Sequence, residues 1–281
     1  MKKALKDRCR HPLSFIVFIL IILAAVITVG AMLFIVAYIL IKGIPHLSLE
    51  MFEFTYNSEN LSMMPAIINT LIMTVLTLII AVPVGILSAV YLVEYAKRGS
   101  KLVSVIRITT ETLSGIPSIV YGLFGMLFFV TYLKWGYSIL AGAATLAIMV
   151  LPLIMRTTEE ALLAVSDSYR EASFGVGAGK LRTVFKIVLP AAMPGILSGV
   201  ILAIGRIVGE TAALIYTAGT VAEVSKGLLS SGRTLAIHMY VLSSEGLYTN
   251  QAYATAVVLL IFVLIINFIS SLVAKKFAAK D

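Results

Sequence analysis

Cysteine is almost missing from this chain: Cys9 stands alone. That excludes an internal disulfide and a cysteine-built metal site, and leaves a free cytosolic thiol as the expectation. Histidine is nearly as scarce. His11, His46 and His238 lie far apart without metal-ligand spacing, and each reads as an interfacial residue. Charge is thin too, at 13% of residues against about 25% in soluble domains. Little polar chain is left to build a separate soluble domain. No Ser/His/Asp set, catalytic acid pair or zinc motif emerges. An ATP site is lacking as well. The run GVGAGK imitates a phosphate-cradling loop, but Phe174 stands where the first glycine belongs, and Leu181 replaces the hydroxyl residue. The chain therefore reads as a non-enzyme that needs no cofactor and no metal.

What fills the chain is apolar: 60% of residues, with a mean hydropathy of +1.02. Six stretches have the length of about 20 residues that a bilayer requires, at roughly 13–41, 63–93, 111–133, 136–156, 190–221 and 251–274. The first holds 29 uncharged residues, too long for a signal-peptide core of about 7–15, and reads as a retained helix. The expected fold is an all-α integral membrane protein with one transmembrane domain, 13–281, behind a short N-terminus, 1–12. The net charge of +8 does not mean nucleic acid here, because the cations are segregated between alternate loops. Seventeen Lys and Arg fall in the two termini and in loops 94–110 and 156–189, against four on the other side. The positive-inside rule then places both termini in the cytoplasm. The outer loops, 43–62 and 222–250, fit interfacial cover and a resting place for an external partner equally well.

Loop 157–189 is the longest polar interruption. Residues 157–174 carry helix formers with a stripe at Leu162, Leu163, Val165 and Tyr169, and Ser166 or Asp167 offers a helix cap. Gly175, Gly177 and Gly179 predict a tight turn. A second stripe, from Leu181 to Leu189, leads into the fifth span at Pro190. Helix, turn and helix make a knob that a partner's groove can grip. Taken alone, the loop also fits a basic amphipathic segment lying on lipid.

Charge inside the bilayer costs at least about 2.5–3.5 kcal/mol, so it faces a cavity or a partner. The fifth span holds Arg206 and Glu210, whose spacing of four predicts one helical face, in the run GRIVGETAALIYTAG. A guanidinium fork suits phosphate or carboxylate, and Glu210 would neutralise it when no anion is present. A structural Arg–Glu lock fits the same residues. Glu111 opens the third span in ETLSGIPSIVYGLFG, where Pro117 and small polar residues permit a break beside a cavity.

The loop skeleton Glu171-Ala172-Ser173, three residues, Gly177, nine residues, Ile187-Val188-Leu189-Pro190 resembles the EAA loop of membrane permeases of bacterial ABC importers. Ser173 departs from the usual second alanine but is equally small. ETLSGIPSIVYGLFG, LPAAMPGILSGVILAIGRIVGETAALIYTAG and the last span with its approach resemble the phosphate-specific branch of that family, its A-type subunit above all. The resemblance spans roughly residues 60–275. It implies a type I importer permease in the bacterial inner membrane. Its implied partners are an ATP-binding subunit dimer, a second permease subunit, an extracytoplasmic phosphate-binding protein and membrane lipid. It further implies that Arg206 and Glu210, with Thr211 and Glu111, line the pathway. Glu171, Ala172, Ser173, Gly177, Ile187, Leu189 and Pro190 would form the ATPase-coupling loop. The alternatives are a permease for sulfate, molybdate or another small solute, a secondary carrier using Arg206 and Glu210 as an ion relay, and a scaffold that transports nothing.

Overall fold

Lipid offers the backbone no hydrogen-bonding partner, so long apolar runs close their own bonds as helices. A computed structural model of the chain describes residues 12–97, 99–244 and 246–278. Cys9, His11 and the basic N-terminal residues lie outside the described residues. All regular elements among those described are helical. Helix α1 (Pro12–Gly43) is followed by two short turns of 3-10 helix, Ile44–His46 and Leu49–Phe52. Next come α2 (Met64–Val90), α3 (Lys101–Ser114), α4 (Ser118–Gly125) and α5 (Ile139–Leu163). The remainder is α6 (Asp167–Gly175), α7 (Lys180–Thr183), α8 (Leu189–Val208), α9 (Ala212–Ile215), α10 (Leu235–Ser244) and α11 (Thr249–Ala278). Five helical stretches are long and apolar enough to cross a bilayer, or six when a bent pair counts as one span.

The core forms around α5, which packs against α2 on one side and α8 on the other. Met73, Leu146, Met149, Ile154, Ile207 and Leu214 are fully or almost fully buried in one cluster. Ser138 starts α5 by accepting a hydrogen bond from the Ala141 N–H at 3.2 Å. Small residues set the closest approaches. A Cβ on Gly122 of α4 would stand 2.8 Å from the Ala213 Cα in α9, so only glycine allows these backbones to touch. By contrast, α1 leaves its apolar side chains exposed along most of its length and leans mainly on α11, where Tyr38 and Tyr253 meet edge-on. Such an apolar surface suits lipid.

Two expected spans are built differently. The third is not a straight helix over 111–133: α3 and the stretch Ser118–Tyr132 meet at 103°. Pro117 removes a backbone donor at the corner, and the Tyr121 hydroxyl donates back to the Leu113 carbonyl at 2.7 Å, pinning the bend. Glu111 therefore sits on amphipathic α3, before the corner, rather than opening a span. The fifth span starts ahead of Pro190, running from Lys180 through a wide turn at Val184–Val188 into α8, and stops at Val208 rather than 221. Helix α5 also continues to Leu163, absorbing the first part of the helix expected over 157–174. His238 is buried in α10 rather than interfacial, whereas His46 is exposed, with its Nδ1 2.9 Å from the Lys42 carbonyl oxygen.

Candidate functional site

The break after α8 decides where the intramembrane charges go. Gly209 ends the helix, so Glu210 and Thr211 lie outside it. The shared helical face expected for Arg206 and Glu210 is not formed. Glu210 instead turns toward the next element, its Oε1 accepting from the Ala213 N–H at 3.0 Å as a cap on α9. Arg206 makes no ion pair among the described residues. It lines an open cavity of about 310 Å³ between α3 and α5. Glu111 and Ser114 of α3 and Pro152 of α5 share that wall. Thr211 faces a separate cavity beside Tyr240 and Tyr253. The fold thus places Arg206 and Glu111 on one cavity and Thr211 on another, with Glu210 engaged by α9.

The depth of Arg206 follows from packing. Gly199 of α8 lies directly against Thr157 of α5. Arg206 stands about two turns farther along α8, toward the middle of α5. Nearer the loop end of α5, the same cavity is lined by Arg107, Arg156 and Glu159. Arg107 pairs with Glu159, joining α3 to α5, and Arg156 pairs with Glu160 at 3.0 Å. Composition and spacing do not single out these residues, because Arg107 and Arg156 read as ordinary loop cations.

Loop 157–189 folds as helix, turn, helix. Ser166 caps α6, its Oγ accepting from the Ser168 N–H. Of the three glycines only Gly177 uses the left-handed region, with φ 81°. Ser173 is buried, and its hydroxyl lies 2.8 Å from the Thr183 hydroxyl, tying α6 to α7 across the turn. Glu171, Ala172 and Gly177 face outward, Ile187, Leu189 and Pro190 are half-buried at the base, and Phe174, Val176 and Leu181 expose apolar surface.

The element beneath this knob was not legible. Arg170 donates to Glu94 Oε1 from both Nε (3.1 Å) and Nη2 (2.7 Å). It also reaches the Leu162 and Val165 carbonyls at 3.0 and 2.8 Å, and Asp167 at 3.1 Å. One guanidinium thereby joins α6 to the end of α5 and to the wide turn Tyr91–Tyr95 that closes α2. The available signal was a lone acid, Glu94, at the end of an apolar span.

Residues 81–280 match the family of binding-protein-dependent transport system inner membrane components. The chain belongs to that family. It is the membrane permease subunit of an ABC importer, a multi-pass protein of the bacterial inner membrane. The permease is 33% identical to the probable ABC transporter permease protein YqgI of Bacillus subtilis, over 92% of this chain and 95% of that protein. It is 38% identical to the phosphate transport system permease protein PstA of Pasteurella multocida, over 80% of this chain and 81% of that one. In fold it is similar to a bacterial ABC transporter involved in alginate import, with a TM-score of 0.66 at 15% identity over 98% of this chain and 99% of the other. The MetNI methionine transporter gives a TM-score of 0.59 at 22% identity, over 76% of this chain and 93% of that chain. The helices, the bent pair and the knob therefore make up a type I importer permease fold.

Proposed function

We propose that this permease carries inorganic phosphate inward as one transmembrane domain, paired with a second permease subunit. An ATPase dimer docks on the loop from Glu171 to Pro190 and a phosphate-binding protein delivers the ion outside. The observation that carries the reading is Arg206. It is a guanidinium level with the middle of α5, free of any ion pair among the described residues and open to a cavity. A permanently charged fork of N–H donors complements a tetrahedral oxyanion. Several relatives named as phosphate permeases point the same way.

The mechanism divides labour. ATP binding closes the ATPases, the knob follows, and the Arg170–Glu94 clamp passes its motion to α2 and α5. Arg206 holds the anion while the pathway changes side. Glu111 on the facing wall keeps that hold weak, as release requires. Glu210 acts indirectly, by capping α9 and shaping the break, and Thr211 faces the neighbouring cavity.

The test is uptake of labelled phosphate and, separately, labelled sulfate in source cells lacking this chain. Wild type restores phosphate uptake alone, and Arg206→Gln at equal membrane abundance lowers it at least about tenfold, the loss of one charge-assisted hydrogen bond. Restoration of sulfate uptake instead would replace phosphate by another oxyanion. Full activity of Arg206→Gln would leave Arg206 a structural charge.

A further inference from the structure

The Arg107–Glu159 pair bridges the two walls of the cavity that Arg206 faces. It lies along the same cavity, between Arg206 and the coupling-loop end of α5. Glu159 lies four residues before the last residue of α5, and Arg206 is level with the middle of that helix. The α3 wall is lightly held, since α3 itself has no buried residue. Val103, Ile106, Thr110 and Leu113 are only partly buried, and the Tyr121 bond at the corner and this ion pair add polar attachments. Arg107 is half-exposed while Glu159 is largely covered, so the guanidinium retains donors that an anion in the cavity can reach. The cavity lining carries three arginines and two glutamates, a net +1 that favours an anion over a cation.

Resting on the phosphate reading above, we propose that Arg107 is a second anion-binding residue of the pathway and that Glu159 is its built-in competitor. An oxyanion released by Arg206 displaces the Glu159 carboxylate from Arg107, which loosens α3 from α5 at that end of the cavity. When the anion leaves, the pair re-forms and closes the route. Competition with a resident carboxylate keeps the second site weak, so the ion is passed on rather than trapped. Arg156 does not take this role, because its partner Glu160 sits one turn away on the same helix, and opening that pair separates no elements.

The experiment is equilibrium dialysis of labelled inorganic phosphate against the purified complex of this chain with its second permease and ATPase, free of ATP and of binding protein. Arg107→Gln weakens binding about fivefold and Glu159→Gln tightens it about threefold, within the range for the net contribution of one ordinary hydrogen bond, because anion and carboxylate compete for the same donors. The double variant Arg107→Gln/Glu159→Gln preserves the cavity's net charge. If Arg107 touches the anion, the double variant stays as weak as Arg107→Gln. Recovery of wild-type affinity in it would show a mere field effect and overturn the proposal. A purely structural pair would shift both single variants in the same direction or neither, which also overturns it. Co-purification of the ATPase with each variant verifies assembly. Wild-type cells that take up no phosphate would sink the parent reading, whereas phosphate uptake with any overturning pattern above sinks this one alone.

Discussion

At the scale of single residues, Arg170 has the most consequences per side chain. Its partner Glu94 is 9% exposed and Arg170 itself 15%, so removing Arg170 strands the buried Glu94 carboxylate. Such losses cost about 3–5 kcal/mol. Arg170→Ala is expected to raise amide hydrogen exchange across residues 162–178 by that local destabilisation, and Arg170→Met with Glu94→Leu to recover part of it. Gly177 obeys a different rule. Its φ of 81° strains any L side chain, although the space around it is open. Gly177→Ala should therefore destabilise the turn by about 1–2 kcal/mol. Gly175→Ala has open space without that conformation, and should be neutral or stabilising by about 0.4–1 kcal/mol. Exchange in the same segment separates the two.

Among the elements, the wide turns matter more than the straight spans. A π-type turn re-aims the residues after it and is enriched at functional places. The turn at Tyr91–Tyr95 presents Glu94 to Arg170, and sets the Tyr95 ring 5.0 Å under Lys180. The turn at Val184–Val188 carries the knob into α8. At the opposite end of the bundle, α10 lies outside the six spans and is packed under the Tyr56 ring. Arg233 stacks on Tyr56 at 4.6 Å, and the His238 ring meets the same tyrosine edge-on at 6.2 Å. Burial first, and the Arg233 charge second, push the His238 imidazole down to about 3, with the Leu61 backbone pulling weakly the other way. Unfolded, the same group titrates near about 6.5. The unfolded chain therefore takes up the proton first, and stability contributed by neutral His238 is lost as pH falls from about 6.5 toward 3. The thermal midpoint of the purified protein should drop between pH 7 and pH 5, and His238→Phe should flatten that slope.

For the whole molecule, the decisive property is that the knob is rigid inside and apolar outside. Ser173 and Arg170 are spent on internal bonds, while Val176 is 86% and Phe174 48% exposed. Phe174→Asp and Val176→Asp should leave hydrogen exchange in α6 unchanged and reduce co-purified ATPase about tenfold, because burying a carboxylate at an interface carries a large desolvation cost. Unchanged co-purification would move the ATPase contact elsewhere on the chain. The cavity at Arg206 is open, and on the reading proposed above a second permease completes it.

The chain's class, its crossings and the knob were legible in the sequence, because each rests on local physics. Apolar length predicts a span, a glycine at a fixed place predicts a turn, and the Glu171-to-Pro190 skeleton survives as a pattern of neighbours. Arg206 stood out in the sequence for the same reason, since a charge in an apolar run is costly wherever the chain folds. What the sequence could not show was which charges meet. Spacing of four pairs Arg206 with Glu210 only while the helix continues, and the break at Gly209 removes that condition. Arg107 with Glu159, and Arg170 with Glu94, join residues separated by 52 and 76 positions. Those partnerships are set by the 103° corner and the packing of α2 and α8 against α5. Electrostatic pairing depends on distance in space, and only the tertiary fold supplies it.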